Sequence, residues 1–367
     1  MICLDTIKQK LQNKTVLITG HTGFKGTWLS RFLLQLGAKV VGIGLDEGSE
    51  SLFTLTKTNQ DMLSYIQDIR DYDTLVQIIK SENPDIVFHL AAQPLVLISY
   101  QSPVETFNTN VMGTIHLLEA CRQLDSLQSI VLITTDKVYQ NNEWVYSYRE
   151  NDRLGGHDPY SASKAMCELA IESYRSSFYK KTGVILTAVR AGNVIGGGDF
   201  SKDRLIPDII RSIKQKTVLS LRCPNSIRPW QYIMDALWGY LLICTASLQN
   251  TPPPTTTSLF RLSPSYNIAP LDNSNQHTVE YITSLFIESL GQGNYKIDEH
   301  THFSHETQRL RLDSSLIQEE LGWRPLFNTN ESVIQTASEY KTYLHEPDKL
   351  KHHLDSFISE YIKQRIS

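Results

Sequence analysis

Five short stretches in the first half of the chain are apolar at nearly every position: Thr15–Thr19 (TVLIT), Lys39–Leu45 (KVVGIGL), Asp85–Leu90 (DIVFHL), Ser129–Thr134 (SIVLIT) and Val184–Val189 (VILTAV). Continuous apolar runs of this length fit strands buried on both faces of a parallel sheet. Between them the apolar positions recur at helical spacing. Trp28, Phe32, Leu33 and Leu36 share one face, with Gly37 as a stop, and Val104, Phe107, Val111, Ile115 and Leu118 repeat in the same way. Strand, helix and strand in series predict a doubly wound α/β sheet.

Beyond Asn193 the alternation loosens. The pattern predicts a helix over Asp203–Lys216, short strands at Val218–Arg222 and Tyr266–Ala269, and a helix near Thr278–Leu290. Thr251–Ser258 (TPPPTTTS) reads as a surface loop. Leu321–Pro325 (LGWRP) belongs with the later lobe, and the stretch from Asn330 is polar and helical in character. There is no internal repeat. The expected division is a dinucleotide-binding domain over 1–192, a lobe over 193–345 with some segments returning to the core, and a helical tail over 346–367.

Composition narrows the function classes. A chain of 367 residues with 41% hydrophobic content can bury a large core. Net charge is −4 and no basic block stands out, so nucleic-acid binding has little electrostatic support. The first residues are polar, unlike a secretion signal, and the longest apolar stretch, Leu237–Ala246, is too short to span a bilayer. Cys3, Cys121, Cys167, Cys223 and Cys244 are odd in number and widely spaced, which reads as reduced thiols in a cytoplasmic protein without a metal site.

Gly20-x-x-Gly23-x-x-Gly26 directly follows the first strand and opens a helix, with Thr22 and Phe24 between the glycines. A pyrophosphate can lie against bare backbone at such a helix start, so the motif points to a dinucleotide. Asp46 closes the second strand, 20 residues after Gly26. Its carboxylate can accept from both ribose hydroxyls and would repel a 2′-phosphate, which favours NAD over NADP. Asp68 and Ile69 follow a third strand, where they can meet the adenine. Lys25 inside the loop reads as a solvated side chain.

Tyr160-Ser-Ala-Ser-Lys164 follows Asp158-Pro159 at a predicted helix start, which puts the phenol and the ammonium on one face. An adjacent ammonium favours phenolate, so Tyr160 is expected to have a lowered pKa and to act as a base on a sugar hydroxyl. Another strand runs into Thr134-Thr135-Asp136-Lys137. Thr135 can hold the substrate hydroxyl, while Asp136 and Lys137 add an acid and a base that a simple alcohol oxidation does not need. On position alone, a surface ion pair is the alternative for these two.

Six segments carry a family resemblance: GHTGFKG at 20–26, HLAAQPLV at 89–96, TTDKVY at 134–139, GGHDPYSASK at 155–164, RAGNVIGGGDF at 190–200 and IRPWQY at 227–232. Together they resemble the CDP-glucose 4,6-dehydratase family, of extended short-chain dehydrogenase (Rossmann) type, over about residues 12 to 345. The Asp-Lys pair is the specific mark, since relatives acting on dTDP-glucose and GDP-mannose carry glutamate where Lys137 stands. Inverting UDP-N-acetylglucosamine dehydratases share Asp-Lys, but their tyrosine follows sooner than the 23 positions seen here. The chain departs from the family at Leu97-Ile98, where an arginine is usual.

The resemblance implies a catalytic set of Thr135, Asp136, Lys137, Tyr160 and Lys164. It implies that Leu90, Ala91 and Ala92 line the NAD site. It places Gln93, Asn193, Arg204 and Arg228 on the substrate, with Asn193 and Arg228 gripping a diphosphate. The implied reaction is oxidation at C4, loss of water across C5 and C6, and hydride return to C6, in the service of deoxysugar and surface-polysaccharide synthesis. A homodimer through helices at about 103–124 and 160–181 is also implied. A 4-epimerase would use the same Tyr-Lys pair without needing Asp136 and Lys137, and a non-catalytic sensor would not need the catalytic set.

Overall fold

The structure is a computed structural model that describes residues 4–248, 262–271, 277–298 and 309–365. The Thr251–Ser258 loop and Cys3 lie outside the described residues. The strands are β1 Thr15–Thr19, β2 Lys39–Gly44, β3 Leu63–Ile66, β4 Ile86–His89, β5 Ser129–Ile133, β6 Ile185–Ala191, β7 Asn193–Ile195, β8 Leu219–Leu221, β9 Trp230–Tyr232, β10 Ser265–Ile268 and β11 Tyr295–Ile297.

Seven of them form one parallel sheet in the order β10-β6-β5-β4-β1-β2-β3. This is the doubly wound sheet that the apolar runs predict. The chain builds outward from β1 in one direction, then crosses to β4 and builds in the other. A crevice therefore opens between the carboxyl ends of β1 and β4, the place where ligands bind in such sheets. β1, β4 and β5 are buried along nearly their whole length, which is why their sequences are apolar throughout. β3 announces itself less clearly: it is an edge strand with both ends exposed, so Leu63-Ser-Tyr-Ile66 forms no continuous apolar run.

The helix Phe24–Gln35 buries Trp28, Phe32 and Leu33 against the sheet, and Leu36 and Gly37 (φ +84°) end it as expected. The helix Ile233–Ser247 is buried at every position. It packs against β5, β6 and Phe24–Gln35, which makes it the floor on which that half of the sheet rests. The stripe from Val104 to Leu118 is not one regular helix. A single π-helical turn, Asn108–Met112, separates Pro103–Phe107 from Gly113–Cys121. The extra residue in that turn rotates the face, so Val111 and Leu118 are buried while Val104 is 80% exposed.

The later segments make a smaller layer beside the sheet. β7 pairs with β9 and β8 with β11, flanked by helices Leu205–Gln215, Val279–Leu290 and Thr329–His345. Thr278 caps the second of these through the Tyr281 amide, and Asn328 and Glu331 form a capping box on the third. β10 leaves this layer to extend the main sheet. The polar first residues and the expected helical tail both prove amphipathic. Leu4–Leu11 buries Leu4, Ile7 and Leu11, and Leu350–Gln364 buries Leu354, Ile358 and Tyr361. Among the described residues no helix is long and apolar enough to cross a membrane.

Candidate functional site

A cleft of about 640 Å³ opens at the crevice between β1 and β4. Gly20, Thr22, Gly23, Phe24 and Gly26 form its floor. Gly20 has φ +75°, and a Cβ there would stand 2.7 Å from the Ala91 amide nitrogen. A Cβ on Gly26 would sit 2.0 Å from the Gly20 carbonyl oxygen. Only glycine lets the loop close this tightly. Gly23 is the N-cap of Phe24–Gln35 and supplies no side-chain cap, so that helix start offers its amides to the cleft. Leu90, Ala91 and Ala92 form the facing wall, with Asp68 and Ile69 further along. A bare cradle, an uncapped helix start and a small-residue wall fit the pyrophosphate and nucleosides of a dinucleotide.

The acidic residues Asp46, Glu47 and Asp68 stand in this half of the site. Asp46 is exposed and accepts from the Gly48 amide at 2.9 Å, facing a smaller neighbouring pocket shared with Thr22 and Glu47. Glu47, which sequence reasoning missed, lines both pockets, and burial raises its pKa with Asp199 and Asp46 adding to it. Asp68 is held by Arg70, whose guanidinium lies at 2.6 Å and keeps the carboxyl below its ordinary range. Lys25 is not solvated. It is half-buried on the cleft floor among Arg204, Asp136, Lys164 and Asp199, and burial first, then Arg204, pulls it down to about 8.

At the end of β5 the chain enters a short turn, Asp136–Val138, and the catalytic candidates converge. Thr135 Oγ1 donates to Asp136 Oδ1 at 2.9 Å and accepts from the Lys137 amide at 3.4 Å. Asp136 is buried, its Oδ2 has no hydrogen-bond partner, and burial raises its pKa against the pull of Lys137, Thr135, Arg228 and Lys25. Asp136 and Lys137 are therefore not a simple surface ion pair. Lys137 is half-buried beside it.

Tyr160 and Lys164 lie on the first turns of helix Pro159–Tyr174, which Asp158 caps through the Ser161 amide at 2.9 Å. Tyr160 is buried, with Thr135 close enough to favour its phenolate. Its expected lowered pKa is not what the structure has: burial outweighs every other influence and pushes the phenol up to about 12. The physical reason is burial, which Thr135 and Arg204 offset only in part while Asp136 adds to it. Lys164 Nζ donates to the Ile133 carbonyl at 3.2 Å, and burial lowers its own pKa.

The four substrate candidates are placed unevenly. Arg204 lines the cleft, pairs with Asp199 at 2.8 Å and acts on Tyr160 as a nearby cation. Arg228 is buried and close enough to Asp136 to lower its pKa. Asn193 is half-buried at the start of β7, and its amide bonds the Pro229 carbonyl, which brings it next to Arg228. Gln93 lines the cleft, but its amide is turned inward to Leu95 and Thr106. Asp199, missed from sequence, is the buried partner that holds Arg204.

Comparison with known proteins agrees with this geometry. The family model described as GDP-mannose 4,6 dehydratase matches residues 17–336. CDP-glucose 4,6-dehydratase of Salmonella typhimurium is 43% identical over 92% of this chain and 94% of its own length. dTDP-glucose 4,6-dehydratase of Xanthomonas campestris is 24% identical over 89% of this chain and 93% of its own. Among solved structures, a UDP-glucose 4-epimerase from Thermotoga maritima superposes with TM-score 0.74 at 22% identity, covering 90% of this chain and all of that one. A dTDP-glucose 4,6-dehydratase from Bacillus anthracis gives 0.71 at 18%, covering 93% and 99%. These structural likenesses establish the fold.

Proposed function

The chain belongs to the GDP-mannose 4,6-dehydratase family of nucleotide-sugar enzymes, and from that premise we propose that it converts CDP-glucose to CDP-4-dehydro-6-deoxyglucose with NAD as cofactor. The observation that carries the reading is Asp136: a buried carboxyl with a raised pKa and an unpartnered oxygen, next to Tyr160 and Lys137. A 4-epimerase needs no such acid.

The glycine cradle and the start of helix Phe24–Gln35 would hold the pyrophosphate, with Asp46 and Glu47 near the adenosine ribose. NAD, when bound, supplies a hydride store that is filled from C4 and emptied to C6. Tyr160 takes the proton of the C4 hydroxyl as C4 becomes a ketone. A phenol at about 12 gives up its proton at neutral pH only if positive charge is brought to it. Arg204 already acts in that sense, and Lys164 stands one helical turn away. The ketone acidifies C5, and Lys137 takes the C5 proton. Asp136 gives its proton to the departing C6 hydroxyl, which leaves as water. Lys137 returns a proton to C5 as hydride reaches C6, and the proton Tyr160 took replaces the one Asp136 gave.

Arg228 and Asn193 grip the diphosphate, and Arg204 approaches the sugar from the other side. The buried thiols of Cys121, Cys167 and Cys244, none of them in a disulfide, support a cytoplasmic setting. Apolar Val104, Met112, Met166 and Leu169, exposed on the helices around 103–121 and 159–174, support a homodimer through that face. The product suits deoxysugar synthesis for surface polysaccharides. Incubation with CDP-glucose and NAD, followed by mass and NMR analysis of the sugar, tests the reading. A 4-keto-6-deoxy product with loss of one water is expected; a C4 epimer of unchanged mass, or no turnover, would overturn it.

A further inference from the structure

Gly196-Gly197-Gly198-Asp199 runs from the end of β7 under the cleft and leads to Arg204. Its backbone is gripped from three directions. The Gly197 amide donates to Glu339 Oε2 at 2.5 Å, and the Gly197 carbonyl accepts from the Trp28 indole at 3.0 Å. The Asp199 carbonyl accepts from the Tyr340 hydroxyl at 2.5 Å. Glu339 and Tyr340 are neighbours on helix Thr329–His345, far in sequence from any recognised motif. Both are buried.

The fit is tight. A Cβ on Gly197 would meet Glu339 Cβ at 2.4 Å, so the helix presses directly on the loop. Gly198, between the two gripped residues, has φ +87°, a turn that aims the next side chain inward. That side chain is Asp199, whose Oδ1 accepts from the Ser201 amide at 3.0 Å and whose Oδ2 holds Arg204 at 2.8 Å. Glu339 is itself fixed by Tyr232 and Gln335. The chain of contacts runs from Glu339 and Tyr340, through a glycine backbone, to an Asp199 carboxylate, and from there to a guanidinium facing the site.

We propose that Glu339 and Tyr340 are positioning residues that set Arg204 against the nucleotide sugar by pinning the Gly197 and Asp199 backbone. The inference rests on the reading that Arg204 contacts the substrate. It assigns a functional role to helix Thr329–His345, which carries none of the residues assigned to the cofactor cradle or to proton movement.

The test is steady-state kinetics with CDP-glucose, with NAD affinity measured separately by fluorescence, on Arg204→Ala, Glu339→Ala, Glu339→Gln, Tyr340→Phe and the Glu339→Ala/Arg204→Ala double variant. Arg204→Ala should raise KM for CDP-glucose about tenfold or more, as expected for a lost charged contact. Glu339→Ala should raise it about fivefold and Tyr340→Phe about threefold, each leaving NAD affinity within about twofold. Glu339→Gln keeps an acceptor for the Gly197 amide and should restore KM. The double variant should be no worse than Arg204→Ala alone, since both act through one contact. An unchanged KM in Arg204→Ala would overturn the substrate reading of Arg204 and this inference with it. A raised KM in Arg204→Ala alongside unchanged Glu339→Ala and Tyr340→Phe, or additive effects in the double variant, would overturn the pinning role alone. Should Glu339→Ala fail to fold, Tyr340→Phe decides: an unchanged KM there refutes the proposal.

Discussion

Two glycine loops face each other across the cleft, and they are built on different principles. The first, Gly20 to Gly26, is held by its own sheet and helix. Gly20 bonds Ile43 of the next strand at 2.7 Å, and Thr27 folds back onto Gly23 at 2.9 Å. Everything it needs lies within the first strands. The second, Gly196 to Asp199, is held by Trp28, Glu339 and Tyr340, side chains from the two ends of the chain. The first loop presents backbone to the cleft. The second, in the proposed reading, aims Arg204 through Asp199 at the nucleotide sugar. A site can thus keep a fixed cofactor half and vary its substrate half by altering supports remote from both.

The sharpest way to confirm that the two halves meet at one reacting centre is Tyr160→Phe, between the loops. It removes one hydroxyl from a packed ring, so the fold should survive while kcat falls about 10²–10⁴-fold; circular dichroism and product formation check the two parts. A near-normal turnover would mean the base for C4 lies elsewhere.

Next in size is Gly20→Ala. Its Cβ meets unyielding backbone at 2.7 Å in a left-handed conformation, so the cradle must shift. NAD binding should be lost by about tenfold or more, with about 2 kcal/mol of stability, read by NAD titration and urea unfolding. Gly198→Ala sharpens the contrast. Its Cβ would press on Leu52 Cδ1 at 2.5 Å, the end of a side chain that can give way. The expected loss is about 1 kcal/mol of stability, with KM for the nucleotide sugar raised and NAD affinity nearly unchanged.

The smallest effect on activity, and one visible only in stability, is the pH response of Glu339. Burial pushes its carboxyl up to about 7 from 4.5, and its partners Tyr232, Gln335 and the Gly197 amide carry no compensating positive charge. The fold therefore favours the neutral form. That contribution is complete below about pH 4.5 and is lost as pH rises through 7, by at most about 3 kcal/mol. Glu339→Gln cannot ionise, so between pH 4.5 and 8 its urea midpoint should fall less than that of the wild-type protein. Parallel pH profiles would show that the carboxyl is not perturbed.

The same contrast explains what was legible in the sequence. The parallel sheet was readable because β1, β4 and β5 are buried on both faces and hence apolar throughout. The cradle was readable because glycine is required by backbone geometry within a few residues. β3 was less distinct because an edge strand is under no such demand, and the buried stripes of Leu4–Leu11 and Leu350–Gln364 were hidden because three to five buried positions suffice on an otherwise polar helix. Lys25 was misread because nothing local reveals that the cleft folds over it. Glu339 was invisible for the same reason: its partners Tyr232 and Gly197 become neighbours only in three dimensions. The direction of the Tyr160 shift also escaped, since the spacing to Lys164 gives proximity but not how deeply the phenol is buried.

The place of β10 at the edge of the main sheet has a consequence for how the molecule is made. β6 ends at Ala191, and the strand that covers its free edge begins at Ser265, roughly seventy residues later. At ribosomal rates of 5–20 residues per second, that edge waits for about 4–15 s during synthesis, its amides and carbonyls unpaired. Such an edge invites pairing with another nascent chain. The yield of properly assembled protein should therefore depend on crowding at the ribosome and on translation speed across the intervening lobe, although neither touches the finished enzyme.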